Sequence, residues 1–169
     1  MIRSATEADA AALLAIYAPF VERTTVSFET QVPTVEEFAA RVRKVLSQWA
    51  WLVAERDGAL AGYAYGGTHR ERAAYRWSVE TSAYVDSRFR RQGIGTALYV
   101  ALFDALAARG YCNAYAGITL PNAASAALHR SVGFEPIGVF KSVGYKFGAW
   151  QDVAWLQRRL RDGPPAEPA

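Results

Sequence analysis

Arg90-Arg91-Gln92-Gly93-Ile94-Gly95-Thr96 is the stretch on which the reading of this chain turns. It lies between a segment of strand character at 77–85 and an apolar run at helical spacing (Leu98, Ala101, Leu102, Ala105, Leu106) that ends at Arg109-Gly110. Glycines let a backbone approach a ligand closely and take up positive φ. The free amides of a helix N-terminus, helped by the helix dipole, attract anions. With two arginines just upstream, these parts suit a pyrophosphate cradle. An ordinary glycine-containing turn carrying solvated arginines is the plainer alternative. No Gly-Lys-Ser/Thr follows, so the loop is not a P-loop. The glycine spacing and the mid-chain position of the strand also fail the dinucleotide-binding fingerprint.

Outward from the loop, the chain reads as seven strands and about four helices. Ile2-Arg3 is a short opening strand. Thr6, with Asp9 three residues on, caps a helix whose apolar stripe is Leu13, Leu14, Tyr17, Phe20 and Val21. Thr34 and Glu37 have the capping-box spacing and open a second helix with the stripe Val35, Phe38, Val42, Val45, Leu46 and Trp49. Strands are expected at 51–56 and 60–65, joined at Asp57-Gly58, a strong hairpin signal. A charged loop covers 69–74, and a further strand covers 111–118. Asn122 caps a fourth helix that stops near Gly133-Phe134. Two last strands are expected at 137–140 and 145–156. Residues 162–169, Asp-Gly-Pro-Pro-Ala-Glu-Pro-Ala, form a tail that should fray. The order β-α-α-β-β-β-α-β-α-β-β predicts an α/β (α+β) chain with a mixed sheet, one domain over 1–161.

Composition narrows the function classes. The chain has 169 residues, 51% hydrophobic and 21% charged, enough to bury a real core and to exclude global disorder. The formal charge of +3 is too small to argue for a nucleic-acid partner. The basic residues are 16 arginines against 3 lysines, and arginine favours planar, two-pronged anion partners. Cys112 is the only cysteine, so an intrachain disulfide and a cysteine-based zinc site are excluded, and the spacing of His69 and His129 suggests no metal pair. No apolar stretch reaches the roughly 18 residues of a membrane span, so no membrane partner and a cytoplasmic location are expected.

Several motifs carry a family resemblance. Arg90, Gly93 and Gly95, after a strand ending Tyr84-Val85, resemble the acetyl-CoA signature of the GNAT acetyltransferase superfamily. Asn122-Ala123-Ala124-Ser125, then Leu128-His129 before Gly133-Phe134, match its second half. Thr24-Thr25, Tyr75-Arg76-Trp77-Ser78-Val79-Glu80 and Gly144-Tyr145-Lys146-Phe147-Gly148-Ala149-Trp150-Gln151-Asp152 resemble the phosphinothricin and methionine sulfoximine N-acetyltransferases. The likeness covers roughly residues 1–160.

The resemblance implies a GNAT fold, with the central sheet splayed between its fourth and fifth strands to admit the pantetheine arm. Ala83, Tyr84 and Val85 would meet that arm through main-chain groups. Arg90, Arg91, Gln92, Gly93, Ile94, Gly95 and Thr96 would hold the pyrophosphate. Asn122, with Ser125 beside it, would both cap its helix and bond the arm, though the cap alone would explain the asparagine. The implied activity is acetyl transfer from acetyl-CoA, a cosubstrate, to the α-amine of a small amino acid such as phosphinothricin or methionine sulfoximine, with direct attack in a ternary complex. Relatives of this kind are typically homodimers. Alternatives are another acceptor (a protein N-terminus or a polyamine), or a non-catalytic module binding CoA or nucleic acid through Arg88, Arg90 and Arg91.

Acetyl transfer to an amine needs a base. Glu80 is the candidate, a carboxylate in mid-strand, where one is unusual, three residues before the proposed thioester site. The alternative is a strand residue facing solvent or pairing with an arginine; Glu29 is a second candidate base. His129 occupies the position of the superfamily's thiolate acid, and a packed or capping histidine is the alternative. Arg76, Ser78, Glu80 and Ser82 share one face by two-residue alternation, a polar row that is odd for a core strand. Arg70, Arg72 and Arg76 would receive an acceptor's carboxylate, although the first two also suit plain surface charges. Phe28, Tyr75 and Trp77 would wall the pocket unless they belong to the core.

Overall fold

The computed structural model describes residues 1–162 and 165. Of the expected fraying tail, 163, 164 and 166–169 lie outside the described residues. The chain runs through β1 (Ile2–Ser4), α1 (Ala10–Arg23), α2 (Val35–Leu46), β2 (Trp51–Arg56), β3 (Ala59–Thr68), β4 (Ser78–Val85), α3 (Ile94–Ala108), β5 (Asn113–Thr119), α4 (Ala123–Ser131), β6 (Glu135–Lys146) and β7 (Ala149–Arg159). Short 3-10 turns occupy Glu7–Asp9, Ala73–Tyr75 and Ser87–Phe89. The expected order of strands and α-helices is the observed one.

Local chemistry accounts for most boundaries. The side chain of Thr34 accepts from the Glu37 amide, while Glu37 accepts from the Thr34 amide at 2.7 Å, so the capping box forms. At Asp57-Gly58 both residues have positive φ (51° and 75°), the requirement of a tight primed hairpin turn. Several boundaries differ from expectation: β3 runs on to Thr68 and β5 starts only at Asn113. The carboxylate of Asp9 accepts from the Thr6 amide at 2.8 Å, which builds the 3-10 turn, and α1 starts only at Ala10. The strands expected at 137–140 and 145–156 are divided elsewhere: the break after Phe140 is an irregularity inside β6, held by the Ser142 amide on Asp152 at 2.7 Å. The true turn is Phe147-Gly148, both at positive φ. The β4 strand begins at Ser78, so Arg76 precedes the polar row instead of opening it.

All seven strands form one mixed sheet in the order β1-β2-β3-β4-β5-β7-β6. Only β4 and β5 run parallel, and their pairing is brief: Ser78↔Asn113, Val79↔Ala114 and Glu80↔Tyr115. Beyond Glu80 the two strands part, which is the expected splay. On one sheet face α3 buries Leu98, Tyr99, Leu102 and Leu106 against Val79, Ala114, Ala116 and Leu156. On the other, α1 and α2 bury Leu13, Tyr17, Val21, Phe38 and Val42 against Trp51, Val53 and Tyr63. Each such side chain contributes on the order of 1.5–3 kcal/mol of transfer free energy. The two cores pack on the sheet from opposite sides.

Candidate active site

The glycine loop meets α3 as an uncapped N-terminus. Gly93 is the N-cap at φ 75°, and no side chain accepts from the first-turn amides. Arg91 also sits at positive φ, 60°, which costs a non-glycine residue about 1–2 kcal/mol. Ile94 and Gly95 are buried, with Gly95 pressed against Leu128 of α4, while Arg90, Arg91, Gln92, Gly93 and Thr96 are exposed. Arg88 is turned aside into an ion pair with Asp86 at 2.8 Å, so Arg90 and Arg91 supply the charge at this end. Uncapped amides, a helix dipole and two exposed guanidiniums fit a pyrophosphate.

The last residues of β4 lead straight into this cradle. Ala83, Tyr84 and Val85 pair with Ala64, Tyr63 and Gly62 of β3, while their β5-facing edge has no strand partner among the described residues. Thr81 donates its hydroxyl to the Tyr115 carbonyl at 3.2 Å, just past the last rung. The edge therefore presents backbone donors and acceptors to an extended ligand, and these residues fit a pantetheine arm. The Tyr84 ring packs edge-on against Tyr17 and Phe20.

Asn122 caps α4 by accepting from the Ser125 amide at 3.0 Å. His129, expected as an acid for a leaving thiolate, is buried with both ring nitrogens engaged. Its Nδ1 lies 2.7 Å from the Ser125 carbonyl, an acceptor only, so Nδ1 carries the hydrogen. Nε2 then accepts from the Tyr99 hydroxyl at 2.8 Å. Burial lowers the imidazole's pKa and keeps it neutral. The ring's only N–H is committed to Ser125, which leaves none to offer a thiolate. The packed histidine is the better description.

Glu80 occupies a different environment. It stands opposite Gly67 of β3, and Ser82 stands opposite Tyr65. Directly opposed residues share a face, so Glu80, Ser82, Tyr65 and Gly67 border the side covered by α1 and α2. There a cavity of about 270 Å³ is lined by Tyr17, Arg41, Trp49, Tyr65, Gly67 and Thr68 among others. A second cavity of about 300 Å³ shares Trp49 and Thr68 with it and gathers Arg70, Arg72, Tyr75, Arg76 and Ser78. The arginine loop thus adjoins the Glu80 face. Half-buried and with no hydrogen bond or ion pair to any described residue, Glu80 has its pKa raised by burial, and Arg70's charge offsets this only in part.

Glu29 is the reverse case. Arg41 grips it at 2.8 and 2.5 Å, and Tyr17 donates to it as well. The Arg41 bonds outweigh burial and hold its pKa below the ordinary carboxylate value. A carboxylate so engaged is a weak base. The Phe28 ring lies on Gly144 of β6, and Arg76 stacks over Trp77 at 4.3 Å. Arg41, Tyr17 and Lys146, all joined to the Glu29 network, are absent from the expected site residues. Tyr17 reads in sequence as a core position and Lys146 as one residue of a motif, while no sequence signal singles out Arg41. Among the described residues no group of three or more His, Cys, Asp or Glu is placed to hold a metal ion, and no helix is long and apolar enough to cross a membrane.

Known proteins resemble this chain in sequence and in fold. Residues 2–155 match the family model described as an acetyltransferase (GNAT) domain. A relative named phosphinothricin N-acetyltransferase, from Streptomyces viridochromogenes, is 39% identical, covering 99% of this chain and 91% of its own. A crystal structure named ribosomal-protein-alanine N-acetyltransferase, from Brucella melitensis, is 42% identical, with a TM-score of 0.91 over 94% of this chain and 99% of that one. Another, a phosphinothricin acetyltransferase from Sinorhizobium meliloti in complex with AcCoA, is 36% identical, with a TM-score of 0.93 over 100% of this chain and 92% of that one. The splayed sheet, the uncapped glycine loop and these likenesses agree, and the chain belongs to the GNAT acetyltransferase family.

Proposed function

We propose that the protein transfers the acetyl group of acetyl-CoA to the α-amine of a small amino acid of the phosphinothricin or methionine sulfoximine kind. The observation that carries this reading is Glu80: an unpaired, half-buried carboxylate of raised pKa, at the last rung before the splay and on the cavity side of the sheet. The names of the similar phosphinothricin acetyltransferases support the acceptor class.

In this mechanism the first-turn amides of α3, with Arg90 and Arg91, hold the donor's pyrophosphate. The free edge of Ala83, Tyr84 and Val85 holds its arm. Glu80 takes a proton from the acceptor ammonium, directly or through one water, and the freed nitrogen attacks the thioester carbon. A β4 amide near Tyr84 steadies the oxyanion. A C–N bond forms and the C–S bond breaks; the nitrogen gives up its second proton by way of solvent to the departing sulfur, and CoA leaves as its thiol. Arg70, Arg72 and Arg76 receive the acceptor's carboxylate, and Ser82 lies on the same face as the base. Asn122 acts through the end of α4, which it caps by accepting from the Ser125 amide. We read residues 1–161 as one domain of a cytoplasmic enzyme whose lone thiol, Cys112, suits a reducing compartment. A homodimer suits the exposed row of Ile137, Val139, Phe140, Val143 and Tyr145 on edge strand β6.

The test is thiol release from acetyl-CoA with methionine sulfoximine, phosphinothricin, spermidine, a lysine-rich peptide and a peptide with N-terminal alanine. The amino acids are expected to be the better acceptors by at least about tenfold in kcat/KM, a difference of roughly 1.4 kcal/mol in transition-state binding. A tenfold preference for the alanine peptide would move the acceptor to protein N-termini, in line with the name of the Brucella protein.

A further inference from the structure

Lys146 is buried at 5% exposure, with no carboxylate of the described residues in hydrogen-bonding distance. Its ammonium instead donates to two main-chain carbonyls, Val21 at 2.8 Å and Ser27 at 2.7 Å. These partners are 125 and 119 residues away in sequence, at the end of α1 and in the loop that follows it. Burying an ammonium is costly unless its hydrogens are satisfied. The bonds it makes are correspondingly specific.

The pinned residue Ser27 leads directly to the cavity. Its hydroxyl lies 2.6 Å from the Tyr17 hydroxyl and accepts from the Glu29 amide at 3.1 Å. Glu29 in turn holds Tyr17 and Arg41, and both of those line the cavity beside Glu80. A second contact joins the same two segments. A Cβ on Gly144 would overlap Cε2 of Phe28, so the ring rests on bare backbone of β6. The β6 end of the hairpin thus grips the α1–α2 loop twice, once through an ammonium and once through a ring.

We propose that Lys146 is a positioning residue for the acceptor: it staples the β6–β7 hairpin to the 24–29 loop and thereby sets where Tyr17 and Arg41 stand in the cavity wall. This rests on the acetyl-transfer reading for its substrate, while the staple itself does not. Lys146 touches neither the glycine loop nor the free edge of β4, and its network meets that strand only at the Tyr84 ring, whose expected donor contacts are main-chain, so the donor side should sense it little.

The experiment compares wild type with Lys146→Met and Gly144→Ala. Lys146→Met keeps the stem and loses both bonds. Gly144→Ala leaves Lys146 in place and displaces Phe28. Each is expected to raise KM for the acceptor by about tenfold while KM for acetyl-CoA stays within twofold, since ångström-scale misplacement at a site is costly. Amide hydrogen exchange read on the same proteins should quicken at 24–29 and stay unchanged at 94–98. Equal acceptor KM in a folded Lys146→Met protein, or a parallel rise in both KM values, would overturn the proposal. If Lys146→Met does not fold, Lys146→Gln, which keeps a donor on a shorter stem that cannot reach both carbonyls, decides by the same criteria. If wild type releases no thiol with any acceptor, the acetyl-transfer reading fails, and the exchange at 24–29 still decides the staple.

Discussion

Arg41 reaches across from α2 to close a two-pronged ion pair on Glu29, with guanidinium nitrogens 2.8 and 2.5 Å from the carboxylate oxygens. That pair separates the roles of two acidic residues that look alike in sequence. Glu29 is stabilised as an anion by Arg41 and Tyr17, so it holds protons weakly. Glu80 has no such partner, and burial makes it hold a proton more tightly than an ordinary glutamate. A base for an ammonium must be ionised yet basic. Glu80 meets that demand better, and Glu29 holds Tyr17 and Arg41, which line the cavity.

Glu80→Gln keeps the shape of the side chain and removes its basicity. We expect kcat at pH 7 to fall at least about tenfold, within the usual 10² to 10⁴ contribution of general-base assistance. Wild-type activity requires the ionised carboxylate, so it should decline as pH drops through a pKa above the ordinary 4.5. The variant should lack that limb and regain activity toward pH 10, where solution supplies neutral amine. Profiles of kcat with pH, and acetyl-CoA binding measured in parallel, decide the matter. Near-wild-type kcat at pH 7 would reduce Glu80 to a strand residue.

Gly93→Val tests the cradle. There is open space around a Cβ at this position, so the penalty comes from φ of 75° alone, about 1–2 kcal/mol for a non-glycine residue. Acetyl-CoA at a hundredfold excess over its dissociation constant should stabilise wild type by about 2.7 kcal/mol. Most of that stabilisation should vanish in Gly93→Val. Thermal melts with and without acetyl-CoA give the answer, and an undiminished shift in the folded variant would place the donor elsewhere.

Asp9 ties the first strand to the first helix. It accepts from Arg3 at 2.8 Å through both oxygens, and from the Thr6 amide. Arg3 is the main cause of its pKa falling from 3.8 to about 2. The folded-state pKa is the lower one, so the contribution is fully present above the unfolded value and is lost as pH falls toward 2. Discounted for solvent screening at this partly exposed pair, Asp9→Asn should cost about 1 kcal/mol at pH 7. The difference should shrink between pH 4 and 2. Urea titrations of both proteins across that range would detect it, and a gap independent of pH would rule out the linkage.

Most of the architecture follows from signals that act within a few residues. Thr34 and Glu37 close a box three residues apart, Asp57-Gly58 satisfies a turn with its own φ angles, and Gly93 ends a strand-to-helix loop with uncapped amides. The alternation in β4 likewise brings Ser78, Glu80 and Ser82 to one face, whatever the partner strand. The β6–β7 turn was less legible. Phe147-Gly148 looks like strand, because a phenylalanine at positive φ is tolerated only once the two strands around it have paired.

The element order and the glycine loop can be read from the amino-acid chain, because each depends on neighbours along it; the splayed sheet and the choice of Glu80 as the carboxylate to watch come through the family resemblance that its motifs carry. Three assignments needed the folded molecule: Glu29 belongs to Arg41, His129 gives its one N–H to Ser125, and Lys146 holds a loop 119 residues away. They depend on which charges and carbonyls meet in low dielectric. Residue spacing does not encode that, because sheet order and helix packing set it after the chain has folded.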